Sequence, residues 1–316
     1  MFQILALDGG GIKGVFSASL LAALEEDLGN DVASHFDLIA GTSTGGLIAL
    51  GLGLGLSPKR IVEFYATQGA KIFPRQLGWG GAWSVIARKY SQKRLKAALQ
   101  ETFGTKTLAD SKKRLVIPSF SLGDDDVYLF RTAHHADLNR DYRVEAWRVG
   151  LATSAAPTYF PVCRHVDGLR LIDGGVWANN PSMVALIEAH CVLKVPLEDI
   201  RIFSLGPSED VVDRPRRLNW GGKAAWGLSA AAIDVILRGQ SLAAAKQAQW
   251  LLGQKNYWRV SPKVPPGVYS LDGVRRAEDL VSKANFLARP TAKEFKERFG
   301  DHTAPPFTSM KKVVAK

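Results

Sequence analysis

The stretch that decides the fold is GTSTG at residues 41–45, a serine with a glycine two positions away on either side. It follows a short apolar run at residues 36–40 (FDLIA) and precedes a longer one, GLIALGLGLGL. The first run predicts a buried strand and the second predicts a helix. A sharp turn from strand into helix exposes the residue at its apex, and glycine is needed where the two backbones approach closely. Ser43 is therefore a candidate nucleophile, with Gly41 and Gly45 as the glycines of its turn.

The order of elements around this turn predicts an α/β protein. Residues 2–7 have the pattern of a strand and residues 14–28 that of a helix, before the second strand and the helix that follows the turn. Alternation of this kind is typical of a parallel sheet with helices on both faces. We find no internal repeat and no linker, so we expect one domain over residues 1–300. The remaining residues, 301–316, are expected to form a loosely held basic tail.

The composition is typical of a globular protein of a reducing compartment. The chain has 316 residues, 46% of them hydrophobic, which is enough to bury a sizeable core. No stretch approaches the run of about 18 apolar residues that a membrane-spanning helix needs, and FQILAL at the N-terminus lacks the basic region of a secretory signal. The two cysteines, Cys163 and Cys191, are too few for a disulfide framework. We therefore expect a cytoplasmic location.

The charge balance is less ordinary. Lysine and arginine number 41 against 30 aspartates and glutamates, a formal net charge of +11. Such a chain attracts anionic partners, which include phospholipid headgroups, phosphorylated ligands and nucleic acid. The alternative is a basic soluble protein without a specific anionic partner.

The second motif is the glycine loop DGGGIKG at residues 8–14, between the first strand and the first helix. Its GxGxxG spacing also fits a dinucleotide-binding loop, but that site needs an acidic residue at the end of the second strand, and Asp37 lies at the beginning. A phosphate-binding P-loop is excluded because no GK[ST] follows at the required spacing. Backbone N–H groups at a helix N-terminus also suit a developing oxyanion. The candidate donors are those of Gly9, Gly10, Gly11 and Ile12.

The third motif is Asp173-Gly174-Gly175, directly after the strand-like run LRLI. We expect Asp173 at the C-terminal end of a parallel strand, the edge where α/β proteins place their functional sites. The alternative is an ordinary hairpin or turn. Asn179 and Asn180 follow, and we expect them to fix the loop that holds Asp173.

Taken in this order, DGGGIKG, GTSTGG and DGG, with SAAPTYFP before the last, resemble the patatin-like phospholipase family over residues 1 to about 205. The resemblance implies a three-layer α/β/α core with a mainly parallel sheet and a helical cap. It implies lipid acyl hydrolysis without a metal or other cofactor. It also implies that Ser43 is the nucleophile and Asp173 its base in a two-residue dyad, with the glycine loop as the oxyanion hole.

The remaining residues agree with a dyad. No histidine is placed as a triad base, and the one cluster, His134-His135, is predicted to be a polar surface pair past a strand. An ordinary aspartate, with a pKa of about 3.9, is a poor base for a serine hydroxyl. We therefore expect burial around Asp173 to raise its pKa.

The acidic run Asp124-Asp125-Asp126 lacks the ligand spacing of a calcium-binding loop. It predicts a solvated turn.

Two glycine-rich stretches are candidate sites of contact with a membrane. They carry Trp79 and Trp83 in the first and Trp220 and Trp226 in the second, each flanked by basic residues. Tryptophan favours the headgroup boundary, and basic residues favour an anionic leaflet. We expect peripheral binding at the inner face of the membrane, the alternative being ordinary core tryptophans. Lys13 is a candidate for steering an anionic substrate, or a simple surface lysine.

The region after residue 205 carries a weaker resemblance. The stretch GQSLAAAKQAQWLLGQKNYWRVSP is similar to the C-terminal part of patatin-like effectors of bacterial anti-phage systems, which cyclic oligonucleotides activate. The resemblance implies a cyclic nucleotide activator, and no nucleic acid polymer is expected.

The sequence leaves alternative functions open. One alternative activity is that of a general esterase or thioesterase. The oligomeric state is also left open by the sequence. A non-catalytic nucleotide-binding module is a further alternative, but it leaves Ser43 and Asp173 unexplained.

Overall fold

The computed structural model describes residues 1–74, 89–210, 231–264, 273 and 276–313. Its strands, in chain order, are β1 (Phe2–Leu7), β2 (Leu38–Gly41), β3 (Arg114–Ser121), β4 (Asp126–Arg131), β5 (Leu171–Asp173), β6 (Ile200–Leu205), β7 (Glu209–Asp210), β8 (Tyr257–Val260) and β9 (Lys263–Val264). Its helices are α1 (Gly14–Leu28), α2 (Thr44–Gly53), α3 (Pro58–Ile72), α4 (Gln92–Phe103), α5 (Ala146–Thr153), α6 (Gly175–Ala178), α7 (Ser182–Ile187), α8 (Ala231–Asn256) and α9 (Ala277–Phe299).

One mainly parallel sheet organises these elements. Its strands follow the order β4-β3-β2-β1-β6-β8, and β5 pairs with a separate part of β3. The central pairs, from β3 through β2, β1 and β6 to β8, are all parallel, whereas β4 and β5 run antiparallel to β3. Strands β7 and β9 form a small parallel pair of their own.

The central strand β1 is buried on both faces. Leu5 and Leu7 pack in a cluster with residues of α1, α2, α3 and α9. Ile4 and Ala6, which point to the opposite face, pack in a second cluster with residues of α7 and α8. Because successive side chains of a strand alternate between faces, this division places helices on both sides of the sheet. The predicted three-layer α/β/α fold is confirmed; the helical cap stays a prediction.

The C-terminal segment departs from the expectation of a loosely held tail. His302 Nε2 lies 2.7 Å from Oδ2 of Asp37, the residue that directly precedes β2. Further along, the amide of Met310 donates to the carbonyl of Ala133 at 2.8 Å. The expectation was wrong for residues 301–310, because its basis, composition, does not reveal which distant backbone groups a segment pairs with.

The tryptophans predicted to contact the membrane lie outside the described residues: Trp79, Trp83, Trp220 and Trp226. That prediction is therefore not tested by the structure. Among the residues described, none of the helices combines the length and the apolar character needed to cross a bilayer.

Candidate active site

Two strand ends meet head to head beneath the site. Val116 of β3 pairs with β2 on one side and β4 on the other, and Ser121 of β3 pairs with β5 and β4 in the same way. Strands β2 and β5 therefore share one edge of β3, β2 parallel to it and β5 antiparallel. Their C-terminal ends, Gly41 and Asp173, point toward each other.

This arrangement corrects one prediction. Asp173 was expected at the end of a parallel strand, but β5 pairs antiparallel with β3, with Asp173 opposite Ser119. Three residues, LID, are too short a run for the sequence to reveal the direction of the strand. The functional consequence that we expected is still met, because the antiparallel strand delivers Asp173 to the edge where β2 ends.

Ser43 occupies the apex of the turn between β2 and α2. Its backbone has φ 55° and ψ −122°, a conformation that a residue with a side chain rarely adopts. A Cβ at Gly41 would lie 2.2 Å from the carbonyl oxygen of Gly45, and one at Gly45 would lie 2.2 Å from that of Leu7. Both positions therefore require glycine. The geometry is that of a nucleophile elbow.

A buried threonine secures this strained turn. The amide of Ser43 donates to Thr153 Oγ1 at 3.0 Å, and Thr153 Oγ1 donates to the carbonyl of Pro118 at 2.7 Å. Pro118 belongs to β3, between the ends of β2 and β5. The hydroxyl thus links the elbow to β3, the strand that pairs with both β2 and β5.

Ser43 and Asp173 form a direct hydrogen bond. Ser43 Oγ donates to Asp173 Oδ2 at 2.7 Å, and the amide of Gly175 donates to Asp173 Oδ1 at 2.7 Å. Asp173 is only 4% exposed. This burial raises its pKa from 3.8 to about 6, and the hydrogen bonds from Ser43 and Gly175 partly offset the rise. The carboxyl group is still mostly ionised at neutral pH and is a stronger base than an ordinary aspartate.

The glycine loop lies directly against the serine, but two of its amides already have partners. The amide of Gly9 donates to the carbonyl of Asn179 at 3.0 Å. The amide of Gly10 donates to Thr44 Oγ1 at 3.2 Å. A Cβ at Gly9 would lie 3.1 Å from that of Ser43, so the loop is in contact with the nucleophile.

The next two amides are different. Gly11 has φ +59°, and within the described ranges no hydrogen bond is formed by the amide of Gly11 or of Ile12. Of the four donors expected from the sequence, these two are available to a developing oxyanion. Gly9 and Gly10 instead hold the loop in place.

An arginine that sequence reasoning missed anchors the start of this loop. Arg259 of β8 donates to both carboxylate oxygens of Asp8, at 3.1 and 2.7 Å, and to Ser204 Oγ at 2.9 Å. Asp8 directly precedes the three glycines, and its side chain is 2% exposed. The two residues are 251 positions apart, and the strand-like YWRV offered no signal that its arginine reaches the site.

Asn179 and Asn180 hold the loop after Asp173, as predicted. Asn179 uses its carbonyl to bind Gly9, as described above. The side chain of Asn180 accepts from the amide of Ser182 at 2.9 Å and donates to the carbonyl of Ser241 at 3.4 Å. These contacts join the loop to α7 and α8.

The remaining candidates lie away from the dyad. His134 was predicted to be on the surface, but it is 3% exposed and its Nε2 lies 2.9 Å from Glu188 Oε1. In the part of the chain that the structure describes, no histidine hydrogen-bonds to Ser43 or Asp173. The acidic run Asp124–Asp126 is exposed, with Asp124 and Asp125 in the predicted turn and Asp126 at the start of β4. The described residues contain no group of three or more potential metal ligands.

The sequence of this chain is similar to known proteins over the region that contains Ser43 and Asp173. A sequence model of the family described as patatin-like phospholipase matches residues 5–186. A cGAMP-activated phospholipase of Pseudomonas aeruginosa is 34% identical over 275 residues, 84% of this chain and 79% of that protein. One of Vibrio cholerae is 35% identical over 227 residues, 65% of this chain and 63% of that protein. The crystal structure of VipD from Legionella pneumophila is 15% identical with a TM-score of 0.43, over 90% of this chain and 67% of that chain. That structural likeness is too weak to bear on function.

Proposed function

Because the chain belongs to the patatin-like phospholipase family, a family of serine hydrolases acting on ester bonds, we propose that it cleaves the fatty-acyl esters of membrane phospholipids through Ser43 and Asp173. The family membership expected from the sequence is confirmed. The observation that carries the assignment of the two residues is their 2.7 Å hydrogen bond at the apex of a strained, glycine-flanked turn.

The first half of the proposed reaction acylates the serine. Asp173 takes the proton of Ser43 Oγ while that oxygen attacks the ester carbonyl carbon. The carbonyl oxygen becomes an oxyanion that the amides of Gly11 and Ile12 stabilise, at up to about 3–4 kcal/mol for a well-placed donor. The tetrahedral intermediate then collapses, the lysolipid alkoxide leaves, and Asp173 returns its proton to that oxygen.

The second half releases the fatty acid. Asp173 removes a proton from water, and the resulting hydroxide attacks the acyl-enzyme carbonyl carbon. The same amides stabilise the second oxyanion. When this intermediate collapses, the bond to Ser43 Oγ breaks, the fatty acid leaves, and the proton held by Asp173 returns to Ser43.

Two variants test this mechanism. Ser43→Ala removes the nucleophile, and Asp173→Asn keeps the shape of the base while removing its basicity. We expect each to reduce phospholipid hydrolysis by at least about a thousandfold, with a circular dichroism spectrum like that of the wild type. Substantial activity in either variant refutes the dyad. Parallel assays with a phospholipid, a soluble ester and a thioester establish which acyl ester is preferred.

The chain is further proposed to be activated by a cyclic dinucleotide in anti-phage defence. The support is the identity of about a third to proteins named cGAMP-activated phospholipases, together with a net charge of +11 that favours an anionic activator. The test measures phospholipid hydrolysis with cGAMP, with other cyclic dinucleotides and with a linear dinucleotide as control. A rate unchanged by every cyclic compound refutes activation.

Peripheral binding at the inner leaflet is proposed as the route to the substrate. The support is the basic charge and the two tryptophan-containing stretches of the sequence. Flotation with anionic and with neutral vesicles tests the proposal, comparing the wild type with a Trp79→Ala/Trp83→Ala variant. Equal partitioning of the two proteins on anionic vesicles refutes a role for these tryptophans.

A further inference from the structure

A glutamine side chain from α8 is inserted into the end of the short helix α6. Gln240 Nε2 donates to the carbonyl of Gly175 at 2.8 Å, and Gln240 Oε1 accepts from the amide of Asn179 at 2.8 Å. In a continuing α-helix, that amide would donate to that carbonyl directly, four residues back. The carboxamide therefore replaces a helical hydrogen bond with two of its own and holds the turn open.

The turn that Gln240 holds is where the parts of the candidate active site meet. At its beginning, the amide of Gly175 binds Asp173 Oδ1. At its end, the carbonyl of Asn179 accepts from the amide of Gly9. Gln240 thus binds the same two residues that orient the base and the glycine loop, through the other backbone group of each.

The nucleophile side of the site is tied to the same turn. Thr42, the residue before the serine, donates from Oγ1 to the carbonyl of Ala178 at 2.6 Å. The neighbour of Gln240 on α8, Ser241, accepts at its Oγ from the side chain of Asn179 at 3.1 Å. Helix α8 is therefore bound to the turn by two adjacent side chains, and the turn is bound to three parts of the site.

We propose that Gln240 is a positioning residue that sets the geometry of Asp173 and of the glycine loop relative to Ser43, so that an active dyad requires α8 to be docked on α6. The inference rests on the proposed function. A misplacement of about 1 Å between reacting groups is enough to cost about a hundredfold in rate, whereas the loss of two hydrogen bonds at a helix end leaves the core intact.

The first test replaces Gln240 with methionine, which keeps the volume and removes both hydrogen bonds. We expect kcat for a soluble ester to fall about tenfold to a hundredfold, with little change in KM. Labelling of Ser43 by a fluorophosphonate probe should slow in parallel. The matched control is Gln247→Met, a glutamine two turns further along α8 that is exposed to solvent. This control should retain wild-type kcat, labelling rate and melting temperature.

The second test uses Gln240→Glu and does not depend on the stability of the methionine variant. A neutral carboxyl group reproduces both hydrogen bonds, donating to Gly175 and accepting from Asn179, whereas a carboxylate cannot donate. The ratio of variant to wild-type kcat should therefore be highest near pH 5 and fall by about tenfold toward pH 8. Gln247→Glu should show a ratio that does not depend on pH.

Two results overturn the proposal: wild-type kcat in Gln240→Met, or a pH-independent ratio for Gln240→Glu. Failure of the underlying function is distinguishable, because it appears as a wild type that stays inactive with every cyclic dinucleotide tested or as full activity in Ser43→Ala. An active wild type with unaffected Gln240 variants contradicts the positioning role alone.

Discussion

Asp173 Oδ2 accepts a 2.7 Å hydrogen bond from Ser43 Oγ across 130 residues of sequence. The contact forms because β2 and β5 end head to head along one edge of β3. The two side chains are in direct contact, without a histidine between them. Since the carboxylate touches the hydroxyl directly, its own pKa sets the lower pH limit of the proposed reaction.

We expect kcat/KM to rise with pH through a single ionisation near pH 6. Burial raises the pKa of Asp173 to about 6, and the protonated form cannot accept the proton of Ser43. Activity is therefore lost as the pH falls below that value. The measurement is kcat/KM for a soluble, uncharged ester between pH 4 and pH 9. An acid limb near pH 4 would show that the pKa of Asp173 is not raised, or that Asp173 is not the base.

We expect stability to depend on pH in the opposite direction. The pKa of Asp173 is higher in the folded state, about 6, than the ordinary 3.8, so folding is favoured by the protonated form. This contribution is fully present below about pH 4 and is lost as the pH rises through 6. The difference between the two values corresponds to about 3 kcal/mol at pH 8.

Urea unfolding of the wild type and of Asp173→Asn at pH 4 and pH 8 checks this expectation. The asparagine can still accept from Gly175 and can donate to Ser43, but it does not ionise. Relative to the wild type, the variant should therefore gain about 3 kcal/mol in free energy of unfolding between the two pH values. Parallel pH dependence in the two proteins would contradict the raised pKa.

Ser43→Gly should be more stable than Ser43→Ala. Ser43 has φ 55° and ψ −122°, a strained conformation that costs a residue with a Cβ about 1–3 kcal/mol, whereas glycine adopts it more readily. The greater freedom of glycine in the unfolded chain offsets part of that gain, leaving about 1 kcal/mol. Both variants lack the nucleophile, so differential scanning calorimetry compares them without any effect of turnover. A higher melting temperature for the alanine variant would contradict strain at the elbow.

Removing Arg259 should destabilise the chain and impair the site. Arg259→Met leaves the buried carboxylate of Asp8 without its bidentate partner, and we expect a loss of about 3–5 kcal/mol in the free energy of unfolding. Adding Asp8→Asn removes the buried charge that Arg259 had paired and should recover much of that loss.

The matched control for Arg259 is Arg60→Met, which breaks an exposed pair with Glu63 and should cost less than about 1 kcal/mol. Chemical denaturation of these three variants and the wild type completes the comparison. An Arg259 variant as stable as the Arg60 variant would show that the pair with Asp8 does not anchor the glycine loop.

Local elements were predictable wherever their signals were local. The helix expected over residues 14–28 is α1, Gly14–Leu28. Helix α3 shows equally local signals, with Pro58 at its first position and the side chain of Ser57 accepting from the amide of Arg60. The strand expected at residues 36–40 is β2, shifted to Leu38–Gly41. Capping and glycine requirements act within a few residues, so the sequence displays them directly.

Predictions that depended on distant partners fared less well. The direction of the strand before Asp173, the looseness of the C-terminal segment and the surface position of His134 were wrong. Arg259 and Gln240 were not found at all, because neither belongs to a motif and each meets its partners only after long loops have closed. The amides of Gly9 and Gly10 were expected to be oxyanion donors, but they donate to acceptors at Asn179 and Thr44 instead. The sequence of the glycine loop does not reveal those acceptors, because they lie elsewhere in the chain.

The sequence by itself determined which groups are present: a hydroxyl at a glycine-flanked turn, a carboxyl group after a short strand, and a run of glycine amides before a helix. These depend on steric requirements between neighbouring residues. Only the tertiary structure decided which groups meet, how deeply Asp173 is buried and which amides remain available. Those properties depend on how the strands order along the sheet and on the exclusion of water from their ends, and neither is a property of any short segment.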